Sequence, residues 1–131
     1  MTRVAAHPIE EQFLQRWSPR AMSGAPLAEA DLWRLLEAAR WAPSGGNSQP
    51  WRFVYGVART PAFERLFGLL VPANQAWCKR AGALFCLVSR QVLDSGRPSS
   101  SASLDAGAAW MSLALQASAM GLVVHAMGGY D

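Results

Sequence analysis

Apolar residues recur at helical spacing through residues 27–42, where Leu32, Leu35, Leu36 and Ala39 share one face. Glu29 and Asp31 stand near the start and Arg40 near the end, in the order the helix dipole favours, and Pro43 stops the pattern. Before it, residues 9–17 read as a short amphipathic turn or helix and 18–26, rich in Ser, Pro and Gly, as a connecting loop. After it, eight loop residues lead to an aromatic and β-branched strand at 51–55. A helix beginning at Pro61 carries Phe63, Leu66, Phe67 and Leu70, and a shorter one covers 74–81. A short apolar run at 83–88 predicts a second strand, and 92–101 a polar loop.

From Ser103, a candidate N-cap with Asp105 behind it, the pattern predicts a helix to about Met120. It is apolar on nearly every face and built of small residues, Ala106, Gly107, Ala108, Ala109, Ala114 and Ala117 among them. A helix of that kind must be enclosed on all sides, and in so small a domain a partner subunit is the simple enclosure. Residues 106–129 contain no Asp, Glu, Lys or Arg, which raises a membrane span. Gly121, the β-branched Val123 and Val124, and the polar Gln116 and His125 favour instead a buried helix followed by a buried third strand from Leu122 that includes His125. Helices alternating with three strands predict a sheet covered by helices in one domain.

Composition supports one globular unit, since 51% of the 131 residues are hydrophobic. The 12 Lys and Arg residues exceed the nine Asp and Glu, but they are scattered, which excludes a nucleic-acid stripe. Cys78 and Cys86 lack metal-ligand spacing and suit a reducing, cytoplasmic setting, and the first residues form no secretion signal. No Ser-His-Asp or metal constellation is visible.

Four groups carry candidate chemistry. Arg16-Trp17-Ser18-Pro19-Arg20 places two guanidinium forks around a hydroxyl, a phosphate-binding arrangement, though surface arginines at a helix exit are common. The run Ala42-Pro43-Ser44-Gly45-Gly46-Asn47-Ser48-Gln49-Pro50-Trp51 is more specific. Its prolines hold Ala42 and Gln49 out of helical geometry and its glycines allow close approach of backbone to a ligand. Ser44, Asn47, Ser48 and Gln49 offer the donors and acceptors a flat heteroaromatic ring needs, whereas an ordinary helix-to-strand turn requires fewer polar side chains. Asn74-Gln75-Ala76-Trp77 and Met127-Gly128-Gly129-Tyr130-Asp131 are individually weak; Gly128 and Gly129 follow the expected third strand, where their N–H groups can face an acceptor. His125 reads as a satisfied core or rim residue, and the tryptophans as core.

In this order the four groups resemble the nitroreductase family of FMN-dependent enzymes, over residues 16–131 and most specifically in Leu-Leu-Glu-Ala-Ala-Arg-Trp-Ala-Pro-Ser-Gly-Gly-Asn-Ser-Gln-Pro-Trp at 35–51. The resemblance implies an α+β fold, a three-layer α/β/α arrangement with a central mixed or antiparallel sheet. It implies that Arg16, Ser18 and Arg20 hold the FMN phosphate and ribityl chain, that Asn74 reaches the pyrimidine edge, and that Gly128 and Gly129 approach N5 and O4. Pro43, Ser44, Gly45 and Asn47 would come from the other subunit of a homodimer, and Trp17, Gln49 and Met127 complete the cofactor-binding set. The implied activity transfers reducing equivalents from NADH or NADPH through the flavin to a nitroaromatic, quinone or similar electrophile. Flavin fragmentation, reductive dehalogenation, or a non-catalytic flavin-binding or dimerisation module are the alternatives. Family members usually continue through a further helix and strand, so the resemblance reads the chain as a partial sequence, with Asp131 capping the next helix.

Overall fold

The computed structural model describes residues 3–130; Asp131, the expected cap, lies outside them. Helix α1 is Glu11–Gln15, α2 Glu29–Arg40, α3 Pro61–Gly68, α4 Pro72–Cys78 and α5 Ala102–Ala119; strands β1 and β2 are Trp51–Val57 and Ala83–Ser89. The starts of α3 and α4 have a local cause. Pro61 occupies the first turn of α3, where its missing N–H costs nothing, and Thr60 caps that turn by accepting from the Phe63 N–H at 3.3 Å. Helix α4 likewise begins on a proline, two residues before the start expected at Asn74, and ends at Cys78.

The strands pair antiparallel, Val54 opposite Cys86 and Phe53 opposite Leu87. One face meets α2 and α5 in a core of Leu35, Ala39, Ala42, Trp51, Ala109, Leu113 and Ala117, joined by Phe53 and Leu87. At one end of the opposite face, Phe63 of α3 packs on Leu84 and Ala81. Helices therefore cover the sheet from both sides, an α+β arrangement. Beyond the reach of α3 the second face is bare, with Val54 54% and Val88 45% exposed.

Two sequence expectations are corrected. Residues 122–125 form no strand: Leu122 and Val124 pack against the core, but among the described residues no neighbouring backbone pairs with them, and further along Tyr130 makes an isolated bridge with Leu70. Ser103 is not the cap of α5. The helix begins one residue earlier, and Ser101 in the cap position turns its hydroxyl to the Asp105 carboxylate at 2.9 Å instead of to the backbone. Among the described residues, no helix is long and apolar enough to cross a membrane.

Candidate functional site

The arginine cluster starts where α1 stops. Arg3 holds that exit, donating to the Leu14 and Arg16 carbonyls at 2.8 and 3.0 Å and lying over the Trp17 ring at 5.3 Å. Arg16 Nη1 then reaches Ser18 Oγ at 3.4 Å, so one guanidinium and the hydroxyl do converge as their spacing suggests. Pro19 is buried, which fixes the backbone between Ser18 and the exposed Arg20. The ion pairs of the described residues are Asp31 with Arg34, Glu37 with Arg40 and Asp94 with Arg90. Arg16 and Arg20 have no carboxylate partner among the described residues, and so keep donors for an external anion.

Asn74 on α4 meets the segment that contains Gly128 and Gly129. Its Nδ2 donates to the Gly129 carbonyl at 2.9 Å, and the Val71 N–H donates to the same oxygen at 3.2 Å. A Cβ at position 129 would lie 2.8 Å from Val71 and 2.9 Å from Asn74, so the absent side chain there serves this internal contact. Gly128 has open space where its Cβ would be. The Met127 side chain packs against the Phe63 core, leaving its backbone as what it can present at the surface.

The 43–50 loop is held by bonds of its own and by one to α5. Gly46 (φ 57°), Asn47 (φ 54°) and Gln49 (φ 44°) adopt left-handed backbone, costly for the two non-glycines. Local bonds hold this shape: Ser44 Oγ accepts from the Gln49 N–H at 3.0 Å, and Gln49 Nε2 donates to Asn47 Oδ1 at 3.1 Å. Asp105, only 5% exposed, anchors the loop to α5 by accepting from the Gly45 N–H at 3.2 Å while it also accepts from Ser101. A Cβ on Gly45 would sit 2.5 Å from Ser101 Oγ, so this glycine too permits an approach of the chain to itself. Ser48 is a correction, because its Oγ is buried without a partner and offers nothing at the loop surface. Pro43, Asn47 and Gln49 are exposed and Ser44 is half-buried.

Among the described residues, no hydrogen bond links the loop to the arginine cluster or to Asn74 and Gly129. Two surface depressions, about 690 Å³ beside Trp33 and Trp41 and about 420 Å³ beside Arg59 and Arg80, contain none of the expected site residues. No group of three or more His, Cys, Asp or Glu side chains is placed to hold a metal, among the described residues. Sequence reasoning missed the anchoring role of Asp105, whose partner loop is 60 residues away in the chain.

A family model described as the nitroreductase family matches residues 13–62, which include the arginine cluster and the whole polar loop. A crystal structure of an oxidoreductase containing FMN is 44% identical and superposes with a TM-score of 0.93, over 98% of this chain and 67% of that one. A provisionally named nitroreductase from Desulfovibrio desulfuricans, solved in complex with FMN, is 24% identical with a TM-score of 0.70, over 88% of this chain and 65% of that one. A protein of Rhodopseudomonas palustris (strain TIE-1), provisionally named NADH dehydrogenase/NAD(P)H nitroreductase, is 30% identical over 66 residues, 50% of this chain and 33% of its own length. The chain thus spans about a third of that curated relative and two thirds of the FMN-containing oxidoreductase. With the family model matched over residues 13–62 and a 44%-identical FMN-containing oxidoreductase of which the chain covers 67%, the chain belongs to the nitroreductase family.

Proposed function

We propose that residues 1–131 are a single FMN-binding domain of an oxidoreductase that takes reducing equivalents from NADH or NADPH and passes them to a nitroaromatic, quinone or similar electrophile. The observation that carries this reading is the pair of guanidinium groups, Arg16 and Arg20, flanking Ser18 without a carboxylate partner among the described residues. That donor set fits a phosphate monoester, since each guanidinium offers a planar fork and the hydroxyl a further donor. The FMN-containing relatives favour FMN as the owner of that phosphate.

When bound, FMN supplies the redox chemistry, and the protein's part is to bind and orient it. Arg16, Ser18 and Arg20, beside Trp17, hold the phosphate end. Asn74 has given its Nδ2 to Gly129, which leaves its Oδ1 as an acceptor for the polar edge of the ring. Backbone at Met127, Gly128 and Gly129 lines the same end. Pro43, Ser44, Gly45, Asn47 and Gln49 close over the ring from a second copy of the chain, in keeping with a loop that makes no hydrogen bond to the other two groups in its own chain. Two free thiols accord with a reducing compartment such as the cytoplasm.

Absorption spectra of the purified chain with added FMN, before and after NADPH or NADH under anaerobic conditions, test the reading. Oxidised-flavin bands that bleach with the nucleotide, and return when a nitroaromatic or quinone is added, are the expected result. Bound flavin that no nucleotide bleaches would make the chain a binding module instead, and a chain that binds no flavin would sink the proposal altogether.

A further inference from the structure

Behind the arginine cluster, two side chains with no assigned role close a circuit of contacts. His125 Nδ1 lies 3.1 Å from the Pro19 carbonyl, and because a carbonyl only accepts, the ring donates from that nitrogen. The same imidazole packs on Trp77 with ring centroids 4.5 Å apart at an interplanar angle of 43°. The Arg20 guanidinium in turn lies over the Trp77 ring, 5.8 Å from its centroid. Arg20, Trp77, His125 and Pro19 thus form a ring of contacts that the backbone closes between Pro19 and Arg20. Trp77 and His125 are half-buried, while Arg20 is exposed.

An exposed arginine ordinarily samples many rotamers, and fixing it on a ligand costs conformational entropy. Contact with an aromatic ring restricts that freedom in advance without using any of the guanidinium's N–H donors in a conventional hydrogen bond, so they stay available to a ligand. The His125 hydrogen bond does the matching work on the backbone, fixing the carbonyl that lies between Ser18 and Arg20. Trp77 also sits three residues after Asn74 on α4, so one helix face grips the 125–129 segment at both His125 and Gly129.

We propose that Trp77 and His125 are positioning residues for a phosphate monoester: Trp77 restrains the Arg20 guanidinium and His125 fixes the turn at Pro19, so that Ser18 and Arg20 present their donors together. This inference rests on the reading of the Arg16–Arg20 cluster as the FMN phosphate site.

Dissociation constants of the 131-residue chain for FMN and for riboflavin, read by quenching of flavin fluorescence, separate positioning from mere structure, because riboflavin lacks the phosphate. In His125→Ala and Trp77→Leu, FMN affinity should fall about 3- to 10-fold while riboflavin stays within about 2-fold of the parent. His125→Asn, which returns an N–H donor close to the place of Nδ1, and Trp77→Phe, which returns a π face, should restore FMN binding to within about 2-fold. Thermal unfolding of each variant checks that it folds; if His125→Ala does not, retention by His125→Asn against loss in His125→Gln, whose donor reaches further, carries the same decision. Equal weakening of both flavins, or unchanged binding in variants of Trp77 and His125 while Arg20→Ala loses its preference for FMN, overturns the positioning role alone. If Arg16→Ala and Arg20→Ala leave the preference for FMN over riboflavin intact, the phosphate reading of the cluster fails and this inference falls with it, as both do if the chain binds neither flavin.

Discussion

Gly56 sits in β1 where α3 crosses the sheet, and a Cβ there would lie 2.3 Å from the Phe63 nitrogen and 2.5 Å from the Ala62 carbonyl carbon. Both are backbone atoms, so no rotamer change relieves the clash, and α3 would have to move off Leu84. Gly56→Ala should therefore destabilise the chain by about 3 kcal/mol, at the upper end of overpacking costs, read from urea unfolding. Gly68, the last residue of α3, meets nothing within 4 Å, so Gly68→Ala should be neutral or stabilising by about 0.4–1 kcal/mol. The sequence does not tell these two glycines apart, because what distinguishes them is a helix crossing and not a local pattern. Cys78 gives the pH-dependent prediction at this scale. Burial pushes its thiol above the ordinary range, partly offset by a backbone hydrogen bond at its own position. A folded-state pKa above the unfolded one means that the folded chain binds more protons between the two values. The stabilisation is complete below the unfolded thiol pKa, about 8.5, and is lost as pH rises through the higher folded value. Cys78→Ser should flatten that alkaline decline in unfolding midpoint, and an unchanged slope would show that other groups cause it.

Helix α2, the start of α3 and both strands were legible because each carries its own local signal, whether the spacing of Leu32, Leu35 and Ala39, the Pro61 first turn, or two short apolar runs. The element-scale departures come from interactions between distant segments. The 122–125 run has strand composition but, among the described residues, no partner to pair with, and α5 begins at Ala102 because Ser101 and Asp105 are engaged with a loop that lies between α2 and β1. Within the candidate site, the residue types of the polar loop were readable, but not that Gly45 packs on Ser101 or that Ser48 turns inward. The Asp105 carboxylate accepts from both Gly45 N–H and Ser101 Oγ, so its removal leaves two partly buried donors without their acceptor. Asp105→Ala should cost about 2–3 kcal/mol and speed hydrogen exchange at the Gly45 amide, while Asp105→Asn, which keeps a carbonyl oxygen, should cost less on both measures. Equal loss in the two variants would point to the charge rather than to the acceptor geometry.

The whole chain leaves large apolar side chains in water: Trp41 is 78% and Leu104 77% exposed, and the bare sheet face adds Val54 and Val88. Helix α5 buries one stripe, including Ala106, Ala109, Leu113 and Ala117, but exposes Leu104 and Met111 on the rest of its surface. The expected all-round enclosure is thus incomplete in one copy. Self-association would cover such surface, and a flavin held between two copies would bring the polar loop of one to the arginine cluster and Asn74 of the other. Light scattering at micromolar concentration should then report twice the 14.2 kDa chain mass. A sharper consequence follows from linkage. A ligand that contacts both subunits must bind the dimer more tightly than the monomer, so FMN must strengthen dimerisation by the same factor by which dimerisation strengthens FMN binding. If the loop supplies even two hydrogen bonds across the interface, that factor is about 10-fold or more. Sedimentation of a dilution series with and without saturating FMN should show the monomer–dimer midpoint moving to lower protein concentration, and the FMN dissociation constant should fall as protein concentration rises. A dilute monomer that binds FMN as tightly as the concentrated protein would mean that one chain completes its own site, and that the polar loop has another use.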